Sequence, residues 1–68
     1  MMYQISATTY NDKVVDIKVI DKTLALEYFN NFISCVDCAD STIINGLTGE
    51  VLFQWIKGKF VVLDGTIL

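Results

Sequence analysis

The spacing of apolar residues changes from a strand pattern to a helical pattern and back along this chain of 68 residues, and these changes limit the folds that the chain can adopt. Residues 3–9 and 14–20 alternate apolar and polar side chains, which is typical of strands with one buried face. Residues 24–36 instead place apolar side chains at helical spacing. One stripe of this helix is formed by Ala25, Phe29, Phe32 and Val36. The pattern therefore predicts a single helix among strands, with Asn30 and Asn31 on its exposed side.

The ends of the predicted helix carry different signals. Either Asp21 or Thr23 can cap its start, because a side-chain oxygen at that position accepts a backbone N–H. No glycine marks its end, and Asp37 and Asp40 lie unfavourably near the negative end of the helix dipole. We therefore expect the helix to end irregularly, at residues 36–38.

Three more strands are predicted after the helix, at residues 42–45, 50–56 and 60–63. Strands joined by short connections are usually antiparallel neighbours, and we expect the same of the first two strands around a turn at residues 11–12. The order is β-β-α-β-β-β, which predicts an α+β fold with one helix packed on a curved antiparallel sheet. A tail at residues 66–68 either frays or pairs.

The length predicts one small domain, residues 1–68, with a thin core. A domain of this size buries only about 60% of the surface that its unfolded chain exposes. Hydrophobic residues nevertheless make up 53% of the chain and charged residues only 19%. This composition excludes a disordered chain. It also indicates more apolar surface than one small core can enclose.

The apolar excess is concentrated in the last two predicted strands, where apolar side chains fall on both faces. One helix can cover only one face, so we expect the other face to stay open unless the sheet wraps tightly enough to bury both. The predicted interface residues are Leu52, Ile56, Phe60 and Val62. Because large exposed apolar patches mark interaction sites, we expect a protein partner or a second copy of the chain to bind there.

The charged residues argue against several functions. The net charge is −3, and the chain has five lysines, no arginine and no histidine. Phosphate contacts rest mainly on Lys and Arg, so nucleic-acid binding is disfavoured. Without histidine there is no Ser–His or Cys–His pair and no imidazole metal ligand. No glycine-rich phosphate loop occurs either. We therefore expect no enzyme activity, no catalytic residue and no cofactor.

The distribution of apolar segments predicts a cytoplasmic protein. The longest uncharged stretch, residues 1–11, is about half polar. A membrane-spanning helix needs about 20 apolar residues, so no membrane contact is expected. Residues 1–4 contain no basic segment ahead of an apolar run, so no signal peptide is predicted.

Cys35 and Cys38 form a CxxC motif. Redox motifs of the thioredoxin type lie at a helix N-terminus, where the thiol pKa is lowered, whereas this pair falls at the predicted end of the helix. Structural zinc takes four ligands, and the pair supplies two. We expect reduced thiols without a catalytic or metal role, at least one of them partly buried. A metal shared between two chains and a disulfide remain alternatives.

Residues 45–52, with the sequence Asn-Gly-Leu-Thr-Gly-Glu-Val-Leu, resemble a hairpin of small accessory proteins from phages and mobile elements of Gram-positive bacteria. The resemblance implies a protein that acts by binding, and inhibitors of host defence belong to that class. It implies no activity and no functional residue.

The leading hypothesis is a non-enzymatic protein-interaction module that self-associates as a homodimer. One alternative is an acidic inhibitor of a basic nucleic-acid-handling protein of host defence, since an acidic chain can dock on a basic surface. The other is a dimer bridged by a metal that Cys35 and Cys38 hold.

Overall fold

Five antiparallel strands form one sheet with a single helix beside it in the computed structural model, which describes residues 2–63. The elements are β1 (Tyr3–Thr9), β2 (Val14–Val19), α1 (Lys22–Ile33), β3 (Cys38–Asn45), β4 (Val51–Ile56) and β5 (Lys59–Leu63). The spatial order β2-β1-β3-β4-β5 makes β2 and β5 the two edges. The predicted α+β fold and its order of elements are confirmed. The predicted tail, residues 66–68, lies outside the described residues.

The two edge strands are attached by tight hairpin turns. Asp12, between β1 and β2, has a φ of 66°, and its N–H donates to the Thr9 carbonyl at 3.0 Å. Lys57 and Gly58, between β4 and β5, have φ values of 48° and 87°. Two successive residues with positive φ form the type of turn whose twist matches that of paired strands. Both turns lie where the sequence predicts them.

Helix α1 begins as predicted and ends early. The Asp21 carboxylate accepts a hydrogen bond from the Thr23 N–H at 3.0 Å, which identifies Asp21 as the cap. The helix ends at Ile33, so the predicted end at residues 36–38 is wrong. The Ser34 N–H still donates to the Asn30 carbonyl at 3.1 Å, and the Ser34 hydroxyl donates to the same oxygen at 2.8 Å. The helical ladder ends at the next residue, because the Cys35 N–H donates to the Phe32 carbonyl at 3.1 Å and not to that of Asn31.

Strand β3 begins four residues before the predicted start at residue 42. Its first residue, Cys38, pairs with Thr9 of β1, and Thr8 pairs with Asp40. The register shift between these pairs leaves Ala39 as the additional residue of a bulge. The strand therefore lengthens to match β1, although its first residues carry no strong strand pattern.

The core lies between α1 and the central strands β1 and β3. Ile5, Ala25 and Ile43 have no exposed surface. Phe29 is 4% exposed, and its ring centroid lies 5.7 Å from that of Phe53. Phe29 is therefore a core residue as predicted, and Asn30 and Asn31 are exposed as predicted.

Two members of the predicted helix stripe differ from that expectation. Phe32 lies at the margin of the core and is only partly buried. Val36 is 90% exposed because it follows the end of α1. The stripe is therefore wrong at Val36, and Phe29 is the aromatic side chain at its centre.

We expect Phe29→Ala to lower the free energy of unfolding by about 3–5 kcal/mol, because it empties a fully packed aromatic site. A domain this small holds little more than that in total, so the variant should be largely unfolded. Phe32→Ala should be less damaging, and the control Asn31→Ala should change stability by less than about 0.5 kcal/mol. Urea unfolding followed by circular dichroism at one low protein concentration measures all three. A larger loss for Phe32→Ala than for Phe29→Ala would contradict this packing.

Candidate protein-interaction surface

Helix α1 covers only part of its face of the sheet. An α-helix with its side chains is about 10–12 Å wide, whereas five strands span about 19 Å at their usual spacing. The helix packs mainly on β3 and β1 and touches β2 at its margin. The helix side of β4 and β5 is therefore covered only in part, with the Phe29 ring beside Phe53 and Phe60.

Apolar side chains remain exposed on the helix side of these two strands. Phe60 pairs across the strands with Trp55, and Leu63 pairs with Phe53. Directly paired residues share a face, so all four lie on the side that α1 occupies. The Phe60 ring lies 6.3 Å from Phe29, yet 52% of Phe60 and 61% of Leu63 is exposed.

The opposite face of the sheet is polar on one half and apolar on the other. Strand β1 presents Gln4 and Ser6 there, paired with Lys18 and Asp16 of β2. On strands β3, β4 and β5, the apolar side chains of this face are Ile44, Val51, Ile56 and Val62. Val51 and Ile56 are exposed and the other two are half-buried. The apolar surface therefore extends over both faces of the β4–β5 hairpin.

Two bulges change the positions of the predicted interface residues. Ile43 pairs with Phe53 and Ile44 with Val51, so Leu52 is the additional residue of a bulge. The bulge turns Leu52 into the core, where it is 7% exposed, and Leu52 cannot contribute to an outer surface. The strict alternation assumed from the sequence fails here because a bulge adds a residue to one strand only.

The second bulge lies in β5. Gln54 pairs with Val62 and Trp55 with Phe60, which leaves Val61 as the additional residue. Phe60 is consequently exposed on the helix side, not on the outer face where alternation places it. Ile56 and Val62 lie on the outer face as predicted, and Val61, which the prediction omitted, is 59% exposed.

Charge is distributed unevenly around this surface. Residues 51–63 contain two lysines and no carboxylate. Both lysines, Lys57 and Lys59, lie at the turn end of the hairpin, and Glu50 precedes β4 at the other end. The opposite edge strand, β2, carries Asp16 and Lys18, and charges of this kind protect an edge against pairing with other chains. The interior of β5 has no such protection.

The two cysteines of the CxxC motif are free and differ in exposure. Cys35 is exposed, whereas Cys38 is buried and its thiol donates to the Asp40 carbonyl at 3.1 Å. Burial is the main cause that raises the pKa of the Cys38 thiol, and the nearby Asp40 carboxylate adds to it. One thiol is therefore buried, as predicted. Within residues 2–63, no three Cys, Asp or Glu side chains lie together in a way that could hold a metal.

A solvent-open depression of about 410 Å³ lies beside the β1–β2 turn. Its walls are formed by Thr9, Tyr10, Asn11, Lys13 and Asp37. Four of these five residues are exposed, and no buried side-chain nitrogen or oxygen in the described part of the chain lacks a hydrogen-bond partner. No polar group there points to a particular ligand, so the hairpin surface is the stronger candidate.

The chain was compared with protein-family models, with curated proteins and with solved structures, and no match was found in any of the three comparisons. Within the described range, 2–63, no helix has the length and hydropathy to cross a membrane. The candidate surface is therefore identified from the structure of this chain alone.

Proposed function

We propose that the chain is a non-enzymatic protein-interaction module that binds a second copy of itself through the β4–β5 hairpin. The observation that carries the proposal is the exposure of Phe60, Val61 and Leu63 on an edge strand that α1 covers only in part. Contiguous exposed apolar patches on small domains mark interaction sites. As part of the same proposal, we place the module in the cytoplasm of a bacterium or of an infected bacterial cell.

The size of the exposed surface predicts weak association. Complete burial of one large apolar side chain contributes about 1.5–3 kcal/mol, so three half-exposed side chains on each of two copies contribute about 6 kcal/mol. Association itself costs about 4–15 kcal/mol in lost freedom. The three side chains alone thus do not suffice, so the second copy must reach around the edge of β5 and also contact Ile56 and Val62 on the outer face. We expect a dissociation constant between micromolar and millimolar.

Charge favours one arrangement of the two hairpins. If they lie antiparallel about a two-fold axis, Lys57 and Lys59 of one copy lie beside Glu50 of the other copy. In a parallel arrangement the lysine ends of both copies would face each other, and like charges in contact are unfavourable. A two-fold arrangement also closes on itself, so it produces a dimer and not a filament.

The two alternatives have less support from the structure. An acidic inhibitor needs its carboxylates on one surface, but those of the described residues lie in turns, on α1 and on the outer face of the sheet. They are Asp12, Asp16, Asp21, Glu27, Asp37, Asp40 and Glu50. A metal shared by two chains needs both thiols at the surface, and Cys38 is buried. The resemblance of residues 45–52 to phage and mobile-element proteins agrees with a role in binding.

We expect Ile56→Lys and Val61→Lys each to weaken self-association by about tenfold or more, because an unpaired charge would enter the interface. Val61 is 59% exposed in one copy, so Val61→Lys should change the free energy of unfolding by less than about 0.5 kcal/mol, whereas Ile56 is 37% exposed and Ile56→Lys should cost more than that. Sedimentation equilibrium from micromolar to millimolar concentration measures the association. Ile20→Lys is the matched control, since Ile20 is exposed in the connection before α1. A wild-type chain that stays monomeric throughout this range would contradict the proposal.

The antiparallel arrangement makes a separate prediction about charge. Glu50→Lys and Lys59→Glu should each weaken the dimer, because each places like charges at both ends of the interface. The double variant should recover most of the loss, since it restores opposite charges, and its recovery should diminish at high salt. Sedimentation equilibrium of the wild type, the two single variants and the double variant measures these changes in association. Additive losses in the double variant would exclude the antiparallel arrangement while leaving self-association in place.

A further inference from the structure

The CxxC segment between α1 and β3 forms a closed turn. The Cys38 N–H donates to the Cys35 carbonyl at 3.1 Å, which is the hydrogen bond that closes a four-residue β-turn. The first and fourth Cα atoms of such a turn lie less than about 7 Å apart. Disulfides join Cα atoms about 4.4–6.8 Å apart. The backbone therefore already holds the two cysteines at a spacing that a disulfide can bridge.

The two thiols differ in their access to solvent. Cys35 is exposed, as are Val36 and Asp37 between the cysteines, so a small reagent can reach its sulfur. Cys38 is only 5% exposed and its thiol is bonded to the Asp40 carbonyl. Burial also raises the pKa of Cys38, which keeps it protonated more often. Because Cys35 is exposed and Cys38 is buried, Cys35 should react first with a dissolved reagent and Cys38 second.

We propose that Cys35 and Cys38 form a modification site for thiol–disulfide exchange with a small soluble disulfide of the glutathione type. The Cys35 thiolate attacks one sulfur of the glutathione disulfide, forms a mixed disulfide and releases one glutathione. Cys38 then loses its proton to water, and its thiolate attacks the Cys35 sulfur and releases the second glutathione. Two cysteine thiols are oxidised, and one glutathione disulfide is reduced to two glutathione molecules.

Formation of the Cys35–Cys38 disulfide changes the structure locally. The Cys38 thiol gives up its hydrogen bond to the Asp40 carbonyl, and the new bond fixes the connection between α1 and the first residue of β3. Ala25, Phe29 and Ile43, which form the core, are not part of this connection. The inference is independent of self-association, because neither cysteine belongs to the β4–β5 hairpin.

The test is equilibration of the folded chain with mixtures of reduced and oxidised glutathione, followed by acid quenching and intact-mass measurement. The same chain in guanidinium chloride is the reference, since it lacks the turn. We expect the folded chain to lose the mass of two hydrogens, with the mixed disulfide a minor species. Its equilibrium should favour closure by about tenfold or more over the unfolded chain, because the turn is already formed.

Two variants test the order of the steps. Cys38→Ser should stop at the mixed disulfide and gain the mass of one glutathione less two hydrogens, whereas Cys35→Ser should react much more slowly. The proposal is overturned if the folded wild-type chain accumulates the mixed disulfide, if it links to other chains on a non-reducing gel, or if it closes no more readily than the unfolded chain.

Discussion

Phe29 is the side chain through which the single helix reaches the C-terminal half of the sheet. Its ring lies in the core beside Phe53 and extends to the inner side of Phe60. The helix backbone itself packs over β1 and β3. Because a helix is narrower than a five-stranded sheet, α1 covers the side of β5 that it faces only in part. Every exposed apolar side chain on the helix side of β5 follows from that limit.

The two edge strands of the sheet differ in the charge of their side chains. Strand β2 alternates valine and isoleucine with Asp16 and Lys18, so its edge is charged. Strand β5 has a lysine only at its first position and apolar side chains after it. Its Val61 bulge twists the strand locally, which disfavours simple extension of the sheet by another strand. Packing of the exposed side chains against a second copy is the arrangement that the hairpin favours.

The sequence was sufficient to predict the elements whose pattern is local. Alternation predicts β1 and β2, helical spacing predicts α1, and a side-chain oxygen at Asp21 or Thr23 predicts the cap of the helix. The end of α1 was missed because the apolar spacing continues to Val36, whereas the Cys35 N–H already bonds the Phe32 carbonyl and closes the last turn. The start of β3 was missed because its first residues, Cys38 and Ala39, show no alternation of strongly apolar and polar side chains.

The candidate surface was predictable in outline and not in its residues. An apolar excess at residues 51–63 indicates a surface that one helix cannot cover. The face of each residue depends on cross-strand register, and the bulges at Leu52 and Val61 change that register. Nothing in the local sequence distinguishes Leu52, which turns inward, from Ile56, which stays outside.

Hydrogen exchange at several protein concentrations tests most directly whether the β4–β5 hairpin associates with a second copy. Amides in residues 51–63 should exchange more slowly as concentration rises from micromolar to millimolar, because association buries the hairpin and suppresses its local opening. Amides of Val14–Val19 at the opposite edge should show no such change. Exchange that is independent of concentration in the hairpin, or slowing confined to Val14–Val19, would contradict association through this surface.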